Sequence, residues 1–136
     1  MSVIVTDNGF GNDDWTEGFA PVGGAANAQG LDLPSDTDVS AILDRMNQTQ
    51  MIRIDFSSFA DGRGFTLARL LRLKGYKGRL RARGHVIADQ YAMARRAGFD
   101  EVEISDDLAA RQPEDQWLAR ANWQDHDYQS RLKRCA

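Results

Sequence analysis

Five consecutive residues, Asp61-Gly62-Arg63-Gly64-Phe65, bring a carboxylate, a guanidinium and two positions without side chains together. Glycine lets a backbone approach a ligand closely, a following helix offers unpaired N–H groups, and arginine adds a planar fork of donors. This combination suits recognition of a small anion or a phosphate-bearing group. The same residues also suit a plain turn, with Asp61 as a cap, the glycines at positive φ, and Arg63 paired with Asp55 or Asp89. His85 is a second candidate, an imidazole able to act as a general base or to sense pH. Beside it the chain has only His126 and a single cysteine, Cys135, so the ligand set for structural zinc is missing. Asp55, Asp61 and Asp89 are hard oxygen donors of the kind Mg2+ takes, although a salt-bridge network with nearby arginines is the simpler use.

A third set of candidates is the alternation Arg79, Arg81, Arg83, with Leu80 and Ala82 between them. A strand buried on both faces reads as a nearly continuous apolar run, so this alternation implies one polar face. It places the strand at a sheet edge, or its arginines along a groove or interface. The arginines belong to a wider segregation. Residues 1–62 carry ten acidic and two basic side chains, residues 63–100 ten basic and two acidic, and residues 101–136 five basic and eight acidic. The net charge of −3 conceals a basic middle able to attract anions, nucleic acid or an acidic protein surface. Nucleic acid is the weakest of these, because only Phe65 and Tyr76 interleave with the cations as stacking groups and the flanks are acidic.

The elements that must position these groups follow a βα alternation. Met51–Phe56 reads as a strand, followed by a loop over 57–64 and a helix carrying Leu67, Leu70, Leu71 and Leu73 that Gly75 stops. Arg79–Arg83 is the second strand; a helix over 86–97 carries Ile87, Tyr91 and Ala94 on one stripe, with Gly98 as its C-cap. Glu101–Ile104 is the third, and Ser105 or Asp106 caps a helical region to Leu118 that restarts at Pro113. Three strands each followed by a helix predict a (βα)3-like, largely parallel sheet flanked by helices. Residues 38–46 predict an amphipathic helix capped by Thr37 or Asp38. The lead over 1–37 reads as mainly irregular, adding a short strand or hairpin near Val3-Ile4-Val5 and Trp15. In an open parallel sheet ligands gather beyond the carboxyl ends of the strands, where the Asp61–Gly64 loop, Gly84-His85 and Ser105-Asp106 are expected to meet.

At 136 residues the chain matches one α/β domain, with the lead over 1–37, the core over 38–118 and a polar aromatic tail over 119–136. No apolar run approaches the roughly 20 residues of a membrane span, the first residues lack a signal-peptide pattern, and one cysteine fits a reducing compartment. These readings predict a cytoplasmic protein. There is no CxxC pair, cysteine cluster, GxGxxG after a strand or GxxxxGK[ST] loop, so no cofactor is predicted; a flavin bound without a fingerprint stays open. Trp123 and Tyr128, if exposed, would anchor a protein partner or a second copy of the chain.

An ordered set of short elements over 51–104 resembles a bacterial family of unknown function, DUF934. They are Ile54-Asp55-Phe56, Phe59-Ala60-Asp61-Gly62-Arg63-Gly64-Phe65, Leu70-Leu71-Arg72, Gly75-Tyr76-Lys77-Gly78, Leu80-Arg81-Ala82, Asp89-Gln90 and Arg96-Ala97-Gly98-Phe99-Asp100, with Tyr128-Gln129 similar to a weaker tail motif. One departure is Gly84-His85-Val86, where the family pattern has Gly-Asp-Val. That substitution argues against a required carboxylate there and against an essential catalytic role for His85. The resemblance implies a link to sulfite-reductase components and sulfur metabolism. With no redox, metal or nucleophile motif, the expectation is a non-catalytic accessory protein of assimilatory sulfite reduction. Its basic arginine face would dock an acidic partner, the reductase or its electron donor. The alternative is an enzyme or sensor that binds a small anion at Asp61–Gly64.

Overall fold

Val3-Ile4-Val5 builds the first strand, β1 (Ser2–Thr6), and a tight turn at Asp7-Asn8 returns the chain as β2 (Gly9–Gly11), antiparallel to it. There follow β3 (Phe19–Pro21), β4 (Gly30–Pro34), β5 (Met51–Phe56), β6 (Arg79–Gly84) and β7 (Glu101–Ser105). The helices are α1 (Leu43–Met46), α2 (Arg63–Leu73), α3 (Tyr91–Ala97), α4 (Asp106–Arg111) and α5 (Glu114–Leu118), with 3-10 turns at Val39–Ala41 and Ala88–Gln90. The computed structural model describes residues 2–21, 29–46, 48–121 and 123. His126, Tyr128, Gln129 and Cys135 lie outside the described residues.

The strands form one mostly parallel sheet in the order β2-β1-β7-β6-β5-β4-β3. The expected α/β architecture is present, and the three predicted βα units are its β5, β6 and β7 with α2, α3 and α4. Two expectations are corrected. The lead, expected to be mainly irregular with a short strand or hairpin, supplies four strands: the β1–β2 hairpin, and β3 and β4, which pair in parallel beside β5. The helix predicted over 38–46 is instead a 3-10 turn, capped by Asp38 Oδ1 accepting from Ser40 N at 3.0 Å, and the four-residue α1.

Topology decides what each sheet face carries. From β3 to β7 every connection steps to the adjacent strand in the same direction. Crossovers between parallel strands are right-handed, so an unbroken march in one direction lays the connecting helices on one face. On that face Leu31, Leu33, Ile52, Ile54, Phe56, Leu80, Ala82, Val102 and Ile104 are buried with Phe65, Leu67 and Leu71 of α2 and Tyr91 and Ala94 of α3. Trp117 of α5 closes one end of this core, its ring edge-on to Tyr91 at 6.2 Å and its Nε1 donating to Gln112 O at 2.9 Å. No helix among the described residues is long and apolar enough to cross a membrane.

The other face displays the alternate residues of the same strands. In register, Asp32 lies beside Arg53, Arg53 beside Arg81, and Arg81 beside Glu101; one step further, Asp55, Arg83 and Glu103 form a second row. β6 is the fourth of seven strands and not an edge. Its arginines therefore sit in mid-sheet, among carboxylates of the strands on either side.

Candidate functional site

The Asp61–Gly64 segment opens α2, and its own carboxylate takes the place that a bound anion would fill. Asp61 accepts from Arg63 Nε at 3.0 Å, from Arg63 N at 3.3 Å and from Ser57 Oγ at 3.4 Å, with Ser35 Oγ a further close donor. The Arg63 hydrogen bond, then that of Ser35, holds its carboxyl well down, at about 2. Arg63 thus pairs with Asp61, not with Asp55 or Asp89. Neither glycine has a positive φ. Gly62 sits at φ −76° with open space around its Cα. Gly64 has a packing reason instead: a Cβ there would enter the ring of Phe56, the residue that ends β5.

Arg79 and Arg81 belong to an ion-pair ladder, Arg79 at its partly exposed end and Arg81 deep within it. Arg81 is fully buried; its NH1 donates to Glu103 Oε1 at 2.9 Å and its NH2 to Glu101 Oε2 at 3.3 Å, while Asp13 binds both nitrogens at 3.0 and 3.1 Å. Asp13 reaches it from the loop after β2, and although burial opposes ionisation there, Arg81 holds its carboxyl below the usual range. Arg79 binds Glu101 and reaches Asp14 at 2.9 Å. Arg53 grips Asp32 in a fork of 2.6 and 2.7 Å, contacts Glu103 at 3.1 Å, and lies 3.8 Å over the Phe19 ring. These geometries neutralise the arginines within the fold.

Arg83 differs from its neighbours. Its side chain makes ion pairs to Glu103 at 3.3 Å and to Asp55 at 3.7 Å, but no hydrogen bond among the described residues, and half of it is exposed. It lines a cleft of about 510 Å3 at the carboxyl ends of β5, β6 and β7, together with Asp55, Ser57, His85, Glu103 and Ser105. The expected meeting at the strand ends therefore includes Gly84-His85 and Ser105, while Asp61–Gly64 is not part of its lining. Gly84, at φ +104°, makes the turn that carries His85 into place. His85 Nδ1 lies 3.1 Å from Phe56 O, an acceptor only, so Nδ1 carries the proton of the neutral ring and Nε2 the lone pair. Its ring stands edge-on to Phe59 at 5.0 Å.

The three aspartates of the candidate Mg2+ group face separate cations: Asp55 lies 3.7 Å from Arg83, Asp61 3.0 Å from Arg63 and Asp89 2.8 Å from Arg120. Among the described residues no group of three or more His, Cys, Asp or Glu is placed to hold a metal ion. Trp123 is half-buried and engaged within the chain, its Nε1 3.3 Å from Asp7 Oδ2 and its ring under Arg95 at 4.9 Å.

A feature that sequence reasoning missed is the outer side of α2. Gly64, Leu67, Ala68 and Leu71 face the core. The opposite stripe is Thr66, Arg69, Leu70 and Leu73, continued by Lys74 and Lys77, all exposed. Leu73 is 74% exposed and Leu70 38%. Among the described residues no carboxylate pairs with Arg69, Lys74 or Lys77. By contrast Arg72 turns inward and binds the carbonyl oxygens of Tyr76, Gly78 and Gly98 at 2.8 to 3.1 Å and Asp100 at 3.0 Å. Helical periodicity alone was enough to separate Leu67 and Leu71 from Leu70 and Leu73.

The profile of a family described as a bacterial protein of unknown function (DUF934) matches residues 30–135. The chain belongs to the DUF934 family. No curated protein and no solved structure matches it. The DUF934 match spans β4 to α5 and takes in α2, the strand arginines and the strand-end cleft, while β1, β2, β3 and the Asp13 loop precede it.

Proposed function

We propose that this DUF934 protein is a non-catalytic accessory protein that docks an acidic protein partner through the outer side of α2. The observation that carries the reading is the stripe of Arg69, Lys74 and Lys77 around the exposed Leu70 and Leu73, cations that no carboxylate pairs with among the described residues. Interfaces combine apolar anchors with charges that steer and orient the partner. The strand arginines fit this role poorly, because the ladder sets Arg53, Arg79, Arg81 and Arg83 against Asp13, Asp14, Asp32, Asp55, Glu101 and Glu103. The basic face expected from Arg79, Arg81 and Arg83 is thus moved to the helix that precedes them.

The partner's identity comes from the family resemblance alone: a sulfite reductase or its electron donor, within assimilatory sulfite reduction in the cytoplasm. A small anion held at Asp61–Gly64, as an enzyme or sensor would hold it, is disfavoured because Asp61 already occupies the helix start. The test is co-purification of the full chain with the reductase and with its donor at low and high salt. Retention at low salt, lost in an Arg69→Glu/Lys74→Glu variant that keeps its melting temperature, supports the reading; capture unaffected by that variant removes α2 from it.

A further inference from the structure

The cleft at the carboxyl ends of β5, β6 and β7 carries two opposite charges whose hydrogen-bonding capacity the fold leaves unused. Asp55 and Arg83 are in-register neighbours, 54% and 49% exposed, and 3.7 Å apart at their closest atoms. Neither side chain makes a hydrogen bond among the described residues. This sets Arg83 apart from Arg53, Arg79 and Arg81, whose guanidinium groups all donate to carboxylates. Arginine's planar fork binds a carboxylate through two parallel hydrogen bonds, and an ionised aspartate accepts from an ammonium.

The charges decide the ligand class. A simple anion drawn to Arg83 would meet Asp55 beside it, whereas Glu103 is already bound by Arg53 and Arg81. A simple cation drawn to Asp55 would meet Arg83. A ligand bearing both signs a few ångströms apart satisfies both groups at once, with each of its charges beside an opposite one. The hydroxyls of Ser57 and Ser105 and the lone pair of His85 Nε2 add neutral polar groups to the walls, and about 510 Å3 is ample for a small molecule.

We propose that this cleft binds a small zwitterion, an α-amino acid, with its carboxylate on Arg83 and its ammonium on Asp55. The site shares no residue with the docking stripe of α2, so it stands or falls independently of the docking reading. Both side chains are half-exposed, so Arg83→Gln and Asp55→Asn should leave the fold intact, and the amide spectrum itself reports whether they do.

The experiment is an amide-shift NMR titration of the full chain with glycine and L-serine, alongside acetate and methylamine as the two halves. The expected result is saturable shifts confined to 55–57, 83–85 and 103–105, with Kd of about 10 mM or tighter for an amino acid and binding at least about tenfold weaker for either half. Arg83→Gln should abolish the response to acetate and weaken that to glycine at least about tenfold, and Asp55→Asn should do the same for methylamine and glycine. Acetate binding as tightly as glycine would make the cleft an anion site and overturn the proposal. Methylamine binding as tightly would make it a cation site and do likewise. No localised shift with either amino acid at roughly ten times that concentration would also overturn it.

Discussion

Asp61 shows how one carboxylate closes a site that the residue types around it suit. Its carboxyl titrates at about 2 in the fold, against about 4 in an unfolded chain, because Arg63 and Ser35 hydrogen-bond the ionised form. A depressed native value stabilises the fold fully above about pH 4 and loses that contribution as pH falls toward 2. Asp61→Asn is therefore expected to unfold at lower urea than the parent at pH 7, with the two midpoints converging between pH 4 and pH 2. A constant difference across that range would contradict the assignment. The glycines give a paired expectation. Gly64→Ala drives a methyl into Phe56 and should cost roughly 1–3 kcal/mol, whereas Gly62→Ala, with ordinary φ and open space, should stay within about 0.5 kcal/mol. Urea unfolding of the two variants decides it. The sequence announced these residues as a unit without revealing that the carboxylate and guanidinium were each other's partners. Two residues of separation on a turn allow that pairing, while the Ser35 hydroxyl that completes it comes from 26 residues away.

At the scale of elements, β5, α2, β6, α3 and β7 were legible because their apolar periodicities are strong and Gly98 punctuates one helix end at φ +114°. β3 and β4 were not, since Gly30-Leu31-Asp32-Leu33-Pro34 is short, bounded by strand-breaking residues, and stabilised by pairing in parallel with β5. The alternation of β6 correctly signalled a polar face but not its location. A one-directional march of crossovers leaves a mid-sheet face without helices, and long-range carboxylates on β7 and the Asp13 loop fill it. The ladder yields an element-scale expectation: Arg81→Ala strands Glu101, Glu103 and Asp13 without their central cation and should cost roughly 3–5 kcal/mol in urea unfolding. A loss below about 1 kcal/mol would mean that water replaces the guanidinium readily. Arg72→Ala, which releases three carbonyl groups and Asp100 at the turns before β6 and β7, should cost about 2–4 kcal/mol by the same measurement.

For the whole molecule, the division of charge along the chain becomes a division between an inside and an outside. Basic residues of β6 cross the sheet to meet acidic residues from the lead and from β7, and this accounts for much of the segregation without any partner. Among the described residues a basic cluster without carboxylate partners lies along and just beyond α2, where Arg69, Lys74 and Lys77 frame Leu70 and Leu73. Docking governed by that stripe should weaken with salt, and truncating its most exposed apolar anchor, Leu73→Ala, should weaken binding by more than about 1 kcal/mol with no loss of folding stability. The most direct measurement is amide-shift mapping of the full chain titrated with the purified electron donor of sulfite reductase, or with the reductase itself. The account predicts perturbations centred on 66–77, fading as salt rises and absent in Arg69→Glu/Lys74→Glu. Perturbations centred on the β6 ladder, or no binding to either protein at low salt, would contradict it.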